Sequence, residues 1–267
     1  MDGRDGRTLI ALGFVSIAIL FLIYARIGNA EVTPAALSSI ERLGIAFYAM
    51  LVLALGAVSY GFYLYHKHKV QAVKDDNWSI IAWITWNKKS KKIFAATAIG
   101  YGIFFALTSG ILVYQPDVTF SYHYNVKVPS AQIAPCCGEV GYVPKFIFYM
   151  TEHLGLQVIP INLVLQIAVS YLVGLNAAIA ANAFTILKKG AGMGSVAAAT
   201  GLFIACPTCA GTFVSLFVSA SGAVAFTLAV TQLQTLFIAI SIPLLIFTPI
   251  IMVKKIKNSG WRCKIES

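Results

Sequence analysis

The stretch INLVLQIAVSYLVGLNAAIAANAFTIL, residues 161–187, runs for 27 residues without a single charge. A helix rises about 1.5 Å per residue and the hydrocarbon core is about 30 Å thick, so this segment is long enough to cross a bilayer. The whole chain agrees with that reading. Of its 267 residues 58% are hydrophobic and 11% charged, with a mean hydropathy of +0.79. A water-soluble domain carries roughly a quarter charged residues. The sequence therefore predicts an all-α integral membrane protein with six spans, at about 8–27, 44–65, 93–114, 161–187, 195–219 and 229–253.

The net charge of +10 follows topology rather than nucleic-acid binding. With the N-terminus inside, sixteen of the twenty Lys and Arg residues fall on cytoplasmic segments. They include Arg4 and Arg7, the cluster Lys88, Lys89, Lys91 and Lys92, and Lys254, Lys255 and Lys257 near the end. Such a bias in short loops obeys the positive-inside rule and places both termini in the cytoplasm, as in a multi-pass protein of the plasma or inner membrane. No nucleic-acid motif accompanies the charge. The first span also has the charged start, apolar stretch and small-residue end of a cleavable signal, although Arg26 and the length of the apolar run argue against cleavage.

The segment HKHKVQAVKDDNWSIIAWITWNKKSKK, residues 66–92, sets Trp78, Trp83 and Trp86 between two basic clusters. Tryptophan favours the headgroup region, where its ring is buried and its N–H is wet. A short interfacial helix over about 77–87 is expected, with His66 and His68 solvated. In the third span, Gly100, Gly102 and Gly110 suggest close helix packing.

The segment 115–160 is the longest one predicted outside, and it is expected to be structured and extracytoplasmic. Residues Thr119–Tyr124 alternate enough to suggest a strand. Within KFIFYMTEHLG, residues 145–155, Phe146, Tyr149, Met150 and Leu154 share a helical face and suggest an interfacial helix. In the fourth span Asn162, Gln166, Ser170 and Asn176 share an arc of about 120°, with Asn182 facing away. Amides in hydrocarbon require partners, so this face turns toward other helices or a wet cavity.

Two cysteine pairs carry the chemistry. The fifth span contains LFIACPTCAGTF, residues 202–213, with Cys206 and Cys209 flanking Pro207. A proline inside a helix removes a backbone bond and clashes, at about 3 kcal/mol. At a helix start it costs nothing. A broken span is therefore expected, with Cys206 capping a second half-helix and Cys209 in its first turn. The helix end lowers a thiol pKa, while low-dielectric surroundings raise it. If the span were unbroken, Gly201, Ala205, Thr208, Thr212, Ser215 and Ser219 would form a small-residue packing seam. The sixth span should kink at Pro243 and Pro249.

The second pair, Cys136-Cys137, sits in QIAPCCGEVGYVP, residues 132–144, on the side where disulfides persist. A disulfide between neighbours is strained and easily reduced. Both PCCGEVGYVP and CPTCAGTFV precede long apolar segments, a pattern compatible with pseudo-repeated halves, though their spacings differ. Cys263 is incidental.

At the level of these motifs alone, an intramembrane Cys-x-x-Cys with an external cysteine pair resembles membrane thiol oxidoreductases of the vitamin K epoxide reductase and CcdA kinds. The resemblance covers the cysteines only and implies thiol–disulfide electron transfer, with Cys206, Cys209, Cys136 and Cys137 as the reactive groups. An alternative takes the same four sulfurs, with His153, His123 and Met150, as ligands relaying copper or another soft metal. A third takes the chain as a non-catalytic subunit of a membrane complex. The expected partners are the lipid bilayer and either an extracytoplasmic redox or metal-carrying protein or the subunits of that complex. No span centre holds His, Asp, Glu, Lys or Arg, which argues against a bis-histidine haem and a carboxylate-driven transporter. Nucleotide-binding and serine-hydrolase motifs are absent.

Overall fold

The computed structural model describes residues 3–28, 37–71, 76–134, 140–187 and 242–254. The protein is mostly helical. Among the described residues, three helices are long and apolar enough to cross a membrane: Asp5–Arg26, Glu41–Gln71 and Pro160–Asn182. The chain divides into two compact units.

The first unit comprises residues 1–68 and 109–167. Its helices are α1 (Gly3–Gly28) and most of α2 (Leu37–Gln71). They run antiparallel, since Gly6 meets Gly61 near one end and Tyr24 meets Phe47 near the other. A Cβ on Gly6 would lie 3.1 Å from the Gly61 carbonyl oxygen, and one on Gly61 would lie 3.0 Å from that of Gly6. Only glycine lets the two backbones approach so closely. Ile17, Leu20, Tyr24, Phe47 and Leu51 form the core of the pair.

An antiparallel sheet completes this unit. Its strands are β1 (Leu112–Tyr114), β2 (Ser130–Ala134), β3 (Lys145–Tyr149) and β4 (Leu154–Val158), in the order β1-β4-β3-β2. Ser130 pairs with Tyr149 and Ala134 with Lys145, while Phe148 pairs with Leu156 and Val113 with Gly155. Tyr48 on α2 ties the helices to the sheet. Its hydroxyl lies 2.7 Å from the carbonyl oxygens of both Pro144 and Val158, sharing one proton between them, and accepts the Phe146 N–H at 3.2 Å. Val143 joins the helical core, and Ile133 packs over Gly44.

Three expectations are corrected here. The KFIFYMTEHLG segment is a β-hairpin, not an interfacial helix. Its Phe, Ile and Tyr residues favour strands, and pairing with β2 outweighs the local helical spacing. The Thr151 hydroxyl accepts the Leu154 N–H at 3.0 Å and closes the turn. Residues Thr119–Tyr124 are not a strand, because Phe120–His123 form the short helix α5. The third predicted span ends early: α4 (Lys88–Thr108) stops before Gly110, whose φ of +71° is the left-handed geometry that ends helices, and 112–114 belong to β1.

The second unit comprises residues 69–108 and 168–267, of which 76–108, 168–187 and 242–254 carry most of the described structure. It holds α3 (Asn77–Trp86), α4, the greater part of α6 (Pro160–Leu187) and α7 (Ile242–Lys254). Ile80, Ile81 and Ile84 of α3 bury against Leu175, Ile179 and Val253. The tryptophan helix is thus seated on α6 and α7 by its isoleucine face, with Trp78 and Trp83 exposed. A Cβ on Gly174 would lie 2.9 Å from the Phe94 carbonyl oxygen, so α6 crosses α4 closely there. Gly100, read from sequence as a packing glycine, faces open space instead. The predicted fifth span lies outside the described residues, and of the sixth only α7 is described.

Candidate functional site

All five cysteines lie outside the described residues. What the structure supplies is the setting of one pair. Cys136 and Cys137 belong to the connection between β2 and β3, whose bounding residues Ala134 and Lys145 are register partners. On the β3 side this connection is held to α2 through Pro144 and Tyr48. Gly141, with φ of +85°, reverses the chain before β3, and its carbonyl accepts the Ile161 N–H of α6 at 2.9 Å. Cys206, Cys209 and the expected break at Pro207 are outside the described residues.

The remaining predicted ligands are described. His153 lies in the β3–β4 turn, with Nδ1 3.2 Å from the Gln115 carbonyl oxygen and 3.0 Å from that of Val118. Carbonyls only accept, so Nδ1 carries a proton. A histidine that donates one ring N–H to backbone is held in the tautomer used by metal ligands and general bases. Met150, in the same turn, is exposed. His123 ends α5 and meets Tyr124 edge to face, with centroids 5.1 Å apart. Among the described residues, no three His, Cys, Asp or Glu side chains converge to hold a metal ion.

Glu152, between Met150 and His153, has a structural task. Its carboxylate accepts the Ser121 N–H at 3.0 Å and the Ser121 hydroxyl at 2.7 Å, while its carbonyl accepts the Phe120 N–H at 2.9 Å. These bonds from Ser121 hold its carboxyl below the usual carboxylate range. They also explain why α5 is helical, because the cap comes from a residue 31 positions away. Nothing local in the sequence signals this.

Two of the polar residues of α6, Asn176 and Asn182, link it to other helices. Asn176 Nδ2 donates to the Leu245 carbonyl of α7 at 2.9 Å, and Asn182 Nδ2 donates to Ser90 Oγ of α4 at 2.8 Å. Asn182, predicted to face away from the polar arc, thus makes a bond of the same kind. Ser170 Oγ and Asn176 Oδ1 are buried without a partner among the described residues.

Fold and composition together define a class: a helical membrane protein whose sheet packs on two helices that are both long and apolar enough to span. Comparison with protein-family models, with curated proteins and with solved structures gave no match.

Proposed function

We propose that this is a membrane thiol–disulfide electron-transfer protein of the plasma or inner membrane, multi-pass, with both termini in the cytoplasm. The observation that carries it is the paired placement of four sulfurs: Cys-Pro-Thr-Cys within an apolar stretch, and Cys-Cys in the connection of a β-hairpin. The charge bias of the loops supports the orientation.

In this reading Cys206 is the attacking thiolate. It bonds to one sulfur of an oxidised Cys136–Cys137 pair, and the other leaves as a thiolate that takes up a proton. Cys209, deprotonated, then attacks Cys206 and releases the second external thiol. Two electrons pass from the inner pair to the outer pair, and a Cys206–Cys209 disulfide remains. The outer pair exchanges in turn with a cysteine pair of an extracytoplasmic partner protein.

A second reading, soft-metal relay, is favoured by one observation: the bonds of His153 Nδ1 to backbone carbonyls point to Nε2 as the ligating nitrogen, in the same turn as the exposed Met150. In it, copper or a similar ion passes among Cys136, Cys137, Cys206 and Cys209 with help from His153, His123 and Met150. Anaerobic purification with metal analysis and thiol counting separates the two. Metal-free protein with a reducible Cys206–Cys209 bond supports electron transfer. Stoichiometric copper that is lost in both Cys206→Ser and Cys136→Ser supports relay. Inert thiols without metal leave a non-catalytic membrane subunit.

A further inference from the structure

The turn between α3 and α4 concentrates positive charge that no carboxylate among the described residues neutralises. Lys88, Lys89, Lys91 and Lys92 are four of the first five residues of α4, and all four are exposed. The first turn of α4 has no acidic residue. The carboxylate described in this unit, Asp76, is already held by Lys69 at 2.8 Å. Like charges so close repel, and the positive end of the helix dipole adds to the cost.

The aromatic residues beside them are fixed in position. The Lys91 ammonium lies 3.7 Å from the centroid of the Trp86 ring, a cation–π contact that sets the charge against the indole face. Trp78 and Trp83 are exposed on α3, and its opposite face is buried among Leu175, Ile179 and Val253. The tryptophan face therefore cannot turn inward. Lys254 follows Val253 directly and is exposed too.

We propose that the α3–α4 turn is a binding site for anionic phospholipid headgroups, with Lys88, Lys89, Lys91 and Lys92 on the lipid phosphates. Charge complementarity next to exposed indoles favours this occupant. A phosphodiester at a membrane surface supplies the missing negative charge, and the indoles settle at the glycerol level below it. Free phosphate lacks the apolar part that the tryptophans would meet. This site is independent of the cysteine chemistry.

The test uses the full chain carrying Trp261→Phe, reconstituted in phosphatidylcholine vesicles. Energy transfer from tryptophan is measured to trace phosphatidylglycerol or phosphatidylcholine, each with a dansyl group on the acyl chain. We expect phosphatidylglycerol to be enriched at least about fivefold near the tryptophans, the factor that one lysine at a membrane surface supplies. The preference should fall as salt rises from about 0.05 to 0.5 M. It should vanish when all four lysines become Gln and persist when all four become Arg. Equal transfer to both lipids, or a preference unchanged in the Gln variant, overturns the proposal. So does displacement of labelled phosphatidylglycerol by inorganic phosphate at matched ionic strength, which would mark a free-anion site. Should the Gln variant fail to insert, the salt titration and the Arg variant still decide.

Discussion

The side-chain amide of Asn176 donates to the backbone carbonyl of Leu245 at 2.9 Å. Pro249 lies four residues beyond Leu245 and has no N–H to give it. Leu245 is buried, where an unpaired carbonyl is costly, and a donor from a neighbouring helix is a remedy. Asn176 on α6 therefore repairs the defect that Pro249 makes in α7, and in doing so fastens the two helices together. Asn176→Leu should destabilise the protein by about 0.5–2 kcal/mol. The loss should shrink in a Pro249→Ala background, where residue 249 regains its N–H. Thermal unfolding of the four proteins in detergent gives the coupling, and strict additivity would contradict the assignment.

Tyr48→Phe keeps the ring between Phe47 and Phe146 but removes the hydroxyl that meets Pro144, Val158 and Phe146. We expect a loss of about 1–3 kcal/mol, because carbonyls are left without their donor. Hydrogen exchange should quicken across residues 109–159 while α1 keeps its protection. Equal loosening of both regions would argue against Tyr48 as the local tie.

The Glu152 cap gives the sheet region an acid limit. Its folded pKa is lowered by bonds from Ser121, so its contribution is full above the ordinary glutamate value of about 4.3. That contribution is lost as pH falls through the folded value. Exchange of the Ser121 amide, relative to its intrinsic rate, should therefore accelerate as the pH falls below the ordinary glutamate range. In Glu152→Gln the acceleration should be absent, the cap being weaker at every pH. An unchanged acid profile in that variant would assign the effect to another group.

Much of the helical framework was legible in the sequence. Apolar length alone marks α1, α2 and α6, and Pro160 at the start of α6 suits proline's fixed φ. The tryptophan helix was legible too, at residues 77–86. The sheet was not. In the hairpin of β3 and β4, side chains at helical spacing are also good strand formers, and only pairing with β1 and β2 decides between them. The capping of α5 by Glu152 and the proton on His153 likewise depend on residues more than thirty positions away. The polar residues of α6 announced a need for partners, but Leu245 and Ser90 as those partners are tertiary facts. The cysteine chemistry was read from motif and spacing, and among the predicted ligands the structure describes only His123, Met150 and His153.

The glycines of the helices give a paired test. Gly174→Val puts a branched side chain where a Cβ already lies 2.9 Å from the Phe94 oxygen and 3.0 Å from the Ala98 Cβ. Overpacking of this kind costs about 1–3 kcal/mol. Gly100→Ala, in open space, should instead be neutral or slightly stabilising, since alanine is the better helix former. Thermal unfolding of both variants in one detergent checks the contrast, and reversed signs would mean that α4 and α6 do not cross at Gly174.

The central claim is direct exchange between the two cysteine pairs, and removing the resolving thiol tests it best. Cys209→Ser should stall the reaction after the first attack. Peptide mass spectrometry of the membrane-embedded protein, quenched in acid with free thiols blocked, should then find Cys206 disulfide-bonded to Cys136 or Cys137. Adding Cys206→Ser should abolish that bond. If Cys209→Ser shows Cys206 wholly as the blocked free thiol while Cys136 and Cys137 stay joined to each other, the two pairs do not exchange and the account is wrong.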